Sequence, residues 1–174
     1  MAKQLTSAMA KTFIPLIQAV MLMLLCTQSW AVSLNEQAPD FHAKSTQGPN
    51  LRLAEYRGKV VLLNFWATWC GPCRQELPEL NQLHDKLSGQ GLVIMGMNID
   101  NKTQDVFSFL KDVPVNFPVL LDPKQKVSQN YSVSGMPNTF ILDRDGKVRH
   151  IHKGYQPGVI DQYEKEIRTL LNEL

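Results

Sequence analysis

The sequence predicts an α/β fold, a mixed central sheet with helices on both faces. Three observations carry it: two nearly continuous apolar runs of strand length, apolar stripes at helical spacing between and after them, and an Asp-Gly turn near the C-terminus. Residues 35–55 read as an irregular lead-in with a hairpin, 41–44 and 51–53 flanking the turn Gln47-Gly48-Pro49-Asn50. Residues 60–67 are almost wholly apolar, the pattern of a central strand buried on both faces. Leu77, Leu80, Leu83 and Leu87 stripe a helix over 73–88, which Pro78 should kink and Gly89 and Gly91 should end. A second buried strand covers 92–99. Val106, Phe107, Phe109, Leu110 and Val113 mark a helix stopped before Pro114, and residues 124–131 a short helix leading to Gly135-Met136-Pro137. Residues 139–142 and 147–151 flank Asp145-Gly146 as a hairpin. Ile160, Tyr163, Ile167, Leu170, Leu171 and Leu174 stripe a closing helix.

The chain has 174 residues, 44% hydrophobic and 20% charged, with 18 Lys+Arg against 16 Asp+Glu and three cysteines. That excludes a disordered chain and a disulfide-dense scaffold, and suits one domain. The first 31 residues stand apart. Lys3 and Lys11 lie in a stretch without acids, residues 13–25 form a short apolar run, and Ser29-Trp30-Ala31 places small residues two apart. This is the form of a secretory signal peptide, residues 1–31, cleaved after Ala31 to leave a domain over 35–174. An uncleaved membrane anchor through residues 12–31 is the competing reading, although a spanning helix wants about 20 apolar residues. Removing 31 residues from 174 leaves 143, with 16 basic against 16 acidic residues. Nothing in that balance asks for nucleic acid. Cys26 leaves with the leader, so Cys70 and Cys73 remain alone in a compartment where disulfides persist.

Trp69-Cys70-Gly71-Pro72-Cys73 falls where a buried strand passes into a helix. The unpaired N–H groups of a helix N-terminus favour a thiolate on Cys70, and Pro72 suits the first turn because its missing N–H would have had no partner. A Cys70 thiolate can attack a substrate disulfide, and Cys73 can then attack back to release the reduced product. A purely structural disulfide is the first competing reading, but so small a loop removes little entropy. Half of a zinc site is the second; it would need about four ligands, and His42, His84, His150 and His152 show no paired spacing suited to that.

Residues 64–78, from Asn64 through Trp66, Trp69, Cys70 and Cys73 to Pro78, together with Gly135-Met136-Pro137-Asn138-Thr139-Phe140 and the Asp143-Arg144-Asp145-Gly146-Lys147 turn, resemble the thioredoxin superfamily. Within it they are most similar to the exported TlpA/ResA-like branch. The resemblance implies a thioredoxin-like fold with an extra N-terminal β-hairpin, an exposed nucleophile at Cys70, a buried resolving thiol at Cys73, and a cis Met136–Pro137 bond facing the thiols. It also implies that Glu76 does the acid/base work that a buried Asp does in cytoplasmic thioredoxins, where this chain has Asn64. Glu76 alone could equally be an acid favoured near a helix N-terminus.

The function expected is therefore an exported thiol–disulfide oxidoreductase, periplasmic in a Gram-negative cell. It would reduce protein disulfides such as those of apocytochrome c or a metallochaperone, and be recharged by a membrane thiol donor. The catalytic set is Cys70, Cys73 and Glu76, the substrate surface Trp69, Met136 and Pro137, with no cofactor and no metal. The alternatives are a thiol peroxidase, because related folds share the Ala38-Pro39-Asp40-Phe41 segment, and a metal carrier using Cys70 and Cys73. Trp66, Met95 and Met97 read as core, and His150 and His152 as one solvated strand face.

Overall fold

The computed structural model describes residues 32–173; the proposed signal peptide, Cys26 and Leu174 lie outside them. Seven strands form one sheet in the order β2-β1-β5-β4-β3-β6-β7. They are β1 (His42–Ser45), β2 (Leu51–Arg52), β3 (Val60–Trp66), β4 (Leu92–Asn98), β5 (Val119–Leu121), β6 (Asn138–Leu142) and β7 (Val148–Lys153). The helices are α1 (Gly71–Leu87), α2 (Thr103–Asp112), α3 (Lys126–Asn130) and α4 (Val159–Asn172). Strands β3, β4 and β5 run parallel, while β6 and β7 on one side and β1 and β2 on the other run antiparallel to their neighbours. This is the mixed sheet and N-terminal hairpin expected from the resemblance.

Strand β3 lies in the interior of the sheet, and all seven of its residues are buried. Its alternation sorts the core into two layers. Phe65 faces one way, 5.4 Å from Tyr131 and 5.8 Å from Phe140, and Phe41 closes on Tyr131 at 6.4 Å between ring centroids. Asn64 and Trp66 face the other way, toward α1, α2 and α4. Trp66 packs 5.1 Å from Phe109 of α2, and Lys86 of α1 pairs with Glu164 of α4 at 2.7 Å. Met95 and Met97 are fully buried, as expected. Trp66→Ala should cost about 3–5 kcal/mol through the lost contacts and the cavity left behind. That would read as a lower denaturant midpoint at unchanged slope. Trp69, 69% exposed, should tolerate the same change with almost no loss of stability.

Helix α1 begins two residues ahead of the expected start and carries Pro78 inside it. Strand β5 was not expected. Its three residues follow Pro118 and show no alternation to read, and they become a strand by pairing with β4 and receiving β1 on the outer edge. His150 and His152 correct a second expectation. Their rings stack 6.4 Å apart against α4, which covers most of His152 while His150 stays about a third exposed. His152 Nε2 lies 2.7 Å from Glu166 and His150 Nδ1 3.5 Å from the same carboxylate. An edge strand looks solvated in sequence until a helix is laid over one face.

The lead-in is strapped to the turn between β6 and β7. Asn35 N–H donates to Val148 O at 2.6 Å, Ala38 N–H to Gly146 O at 3.0 Å and Val148 N–H to Glu36 O at 2.9 Å. Gln37 adds side-chain bonds to Asp145 O and Gly146 O at 3.0 and 2.9 Å. Gly146 holds φ at +75°, a left-handed conformation that favours glycine at this turn, whereas the Arg57 guanidinium that a Cβ would meet is the free end of a flexible side chain and can swing aside.

Candidate active site

Cys70 is the N-cap of α1, with extended backbone at φ −85° and ψ 106°, and Pro72 occupies the first turn. The position is set by β3, which delivers the chain into a short loop. Thr68 is fastened there by Asp100, whose carboxylate accepts from its N–H and its hydroxyl, each at 2.9 Å. Asn98 holds that carboxylate in turn, donating at 2.6 Å. Cys70 and Cys73 are joined as a disulfide with Cα atoms 5.3 Å apart. Cys70 Sγ accepts the Cys73 backbone N–H at 3.2 Å. A cap position normally filled by an oxygen is filled here by sulfur, so one of the donors left over at the helix start points at the sulfur. Cys73 is fully buried. Cys70 keeps only 5% of its surface, which corrects the expectation of an exposed sulfur. The disulfide and the cap bond hold the sulfur against the first helical turn.

Glu76 lies one helical turn past Cys73 and is fully buried. Asn64 Nδ2 donates to its Oε2 at 2.8 Å and to Thr139 Oγ1 at 2.9 Å. The Tyr163 hydroxyl donates to Oε1 at 3.2 Å. Burial drives the carboxyl up to about 7 from an ordinary 4.5, and Glu79 adds to this, while the bonds from Asn64, Tyr163 and Thr139 pull the other way. A carboxyl poised there can hold or release a proton near neutral pH. Asn64 Oδ1 has no hydrogen-bond partner, so the amide at the centre of this cluster is spent on donating.

Met136–Pro137 is a cis bond, with Met136 half-buried and Pro137 buried. The pairing of Asn138 with Phe65 runs β6 antiparallel to β3, so this dipeptide lies beside the chain leaving β3 toward Cys70. Trp69 projects from the same loop into solvent. Sequence reasoning missed Thr139, Tyr163 and Asp100. Tyr163 alone left a trace: a hydroxyl inside the apolar stripe of α4 has to find a buried partner. Tyr155 was missed as well. Its hydroxyl donates to Glu79 Oε1 at 2.8 Å, and Gly154 N–H donates to Pro137 O at 2.8 Å. The segment after β7 thereby ties α1 to the cis-proline loop.

Comparison with known proteins agrees with this architecture. Thiol-disulfide oxidoreductase ResA of Geobacillus thermodenitrificans is 38% identical over 128 residues, 74% of this chain and 74% of that one. ResA of Bacillus subtilis is 37% identical over 124 residues, 71% and 69% of the two chains. A crystal structure from Chlorobium tepidum, of a protein assigned as thiol:disulfide interchange protein DsbE, superimposes with a TM-score of 0.79 at 39% identity, covering 82% of this chain and all of that one. The sequence profile of the AhpC/TSA family matches residues 34–151. Shared fold, shared sequence and a closed Cys-Gly-Pro-Cys ring lead to one assignment: the chain belongs to the thioredoxin-like AhpC/TSA family and is a thiol–disulfide oxidoreductase.

Proposed function

We propose that the protein is exported and reduces protein disulfides, with Cys70 as nucleophile, Cys73 as resolving thiol and Glu76 as their proton acceptor and donor. The observation that carries the assignment of roles is the capping bond from Cys73 N–H to Cys70 Sγ, because the same donor and the helix dipole stabilise a thiolate on Cys70. In the reduced protein the Cys70 thiolate attacks one sulfur of a substrate disulfide. A Cys70–substrate disulfide forms and the other substrate sulfur leaves as a thiolate, which takes a proton. Cys73 then gives its proton to Glu76 and attacks Cys70 Sγ, so the second substrate sulfur leaves and is protonated. The substrate gains two electrons and two protons, and the protein ends in the oxidised form described above. Trp69, Met136 and Pro137 border the path by which a substrate chain would reach Cys70, and they are assigned to binding it.

Export rests on the signal-peptide pattern of residues 1–31, and the reducing direction on the Gly-Pro pair between the cysteines. Among the described residues no helix is long and apolar enough to cross a membrane. Outside the cytoplasm the oxidised dithiol would need an external source of electrons, for which a membrane thiol donor is the natural class. Cytochrome c maturation is the process in which the reductant would be used. The test is direct. Reduced protein should clear disulfides from a model protein substrate and consume little hydrogen peroxide; fast peroxide turnover without a disulfide substrate would overturn the reading.

A further inference from the structure

Glu76 meets side chains from three elements outside its own helix, β3, β6 and α4. Asn64 and Thr139 approach from the sheet, and Tyr163 approaches from α4, 87 positions away in sequence. The tyrosine is fully buried. Its ring rests against His152 at 4.7 Å between centroids, and its hydroxyl end meets the Glu76 carboxylate, with the Thr139 hydroxyl also within hydrogen-bonding reach. We infer that Tyr163 is a positioning residue for the exchange reaction: its hydroxyl holds the Glu76 carboxyl in place beside Cys73 and favours its ionised form. The inference rests on the proposed role of Glu76 and deepens it.

The physical case is one of asymmetry. A hydroxyl can donate to a carboxylate or accept from a carboxylic acid, so it partners both forms, but the bond to the charged form is about twice as strong. Burial favours the neutral acid, and Tyr163 is one of the few donors set against it. Other ionisable groups among the described residues stand around this pair. Glu79 follows on α1 and raises Glu76. Tyr155 feels both Glu76 and Glu79 from the loop after β7. Glu166 on α4 faces Tyr163, and His152 on β7 lies against its ring with His150 beside it. Cys73 on α1 and Cys70 at its N-cap are the thiols of the site. Burial and the neighbouring carboxylates hold the Tyr163 phenol well above its ordinary range, so it stays protonated at any working pH. It is a constant donor; Glu76 is the group that changes.

The test is the pH profile of single-turnover reduction of insulin disulfides by the pre-reduced full chain. In the wild type, the rate at which Cys73 resolves the mixed disulfide should rise through a limb set by Glu76 ionisation. Tyr163→Phe keeps the ring on His152 and removes only the hydroxyl. It should move the midpoint of that limb up by about one pH unit, with the plateau rate at high pH within about two-fold of wild type. In a Glu76→Gln background the same change should leave the profile alone. A midpoint that stays in place in Tyr163→Phe, while Glu76→Gln removes the limb, would overturn the role of Tyr163 and leave that of Glu76 standing. A limb that persists in Glu76→Gln would overturn the reading of Glu76 itself. Should Tyr163→Phe not fold, Tyr163→3-fluorotyrosine keeps the hydroxyl and makes it a stronger donor; the midpoint should then move down, and a midpoint unmoved or raised would count against the inference.

Discussion

A Cys73→Ala variant should lose turnover and accumulate one stable mixed disulfide per chain through Cys70. The structure separates the two cysteines by accessibility: Cys70 keeps a small part of its surface and Cys73 none. A substrate can therefore meet only the first, and release from it depends on the second lying within bonding distance inside the helix. Take Cys73 away and the first step survives, because the helix N-terminus that favours the Cys70 thiolate is intact. The expected measurement is a mass shift, reversed by reductant, after incubation with a disulfide substrate. In protein without residues 1–31, and so without Cys26, Cys70→Ala should give no adduct, since the remaining thiol, Cys73, is buried. Adducts on Cys73 in that variant, or none on Cys70 in the other, would reverse or remove the assigned roles. The trapped partner could then be identified.

Glu76→Gln should slow resolution of the mixed disulfide by about 100-fold at pH 8, the usual scale for losing a positioned general base. It should also change how stability depends on pH. Glu76 holds its proton up to about pH 7 in the folded protein but only to its ordinary 4.5 when unfolded. Between those values the folded state binds more protons than the unfolded one, so stability falls as pH rises through that window and is constant above it. The loss is on the order of 3 kcal/mol. Gln carries no charge to bury, so the variant should be flat across the same range and more stable than wild type at pH 8. Denaturant midpoints at pH 4.5, 6 and 8 would show this. Equal slopes for both proteins would mean that Glu76 does not titrate in that window.

The sequence made the frame legible wherever one element spoke for itself. Strand β3, helix α1 and the Asp145-Gly146 turn each carry a local pattern, and the cysteines lie three apart. Two errors have a common cause. Strand β5 is too short to show alternation and exists because β4 and β1 pair with it. His150 and His152 alternate as on a wet edge, and only the packing of α4 shows what they face. The cluster around Glu76 was illegible for the same reason. Asn64 is 12 positions from Glu76, Thr139 a further 75 from Asn64, and Tyr163 arrives from the last helix. No local period encodes such a meeting; it is a property of the finished sheet.

The strap between residues 35–38 and the turn ahead of β7 gives the domain a polarity. Strand β6 runs antiparallel to β3, with Leu142 beside Val61, so that turn lies at the end where β3 begins. Cys70 lies past the end where β3 finishes. Seven residues of strand separate the two ends, about 20 Å. A bead, an affinity tag or a fusion partner joined ahead of Val32 would therefore hang from the far pole and leave the approach to the dithiol clear. One joined through the loop at Trp69 would stand in its way.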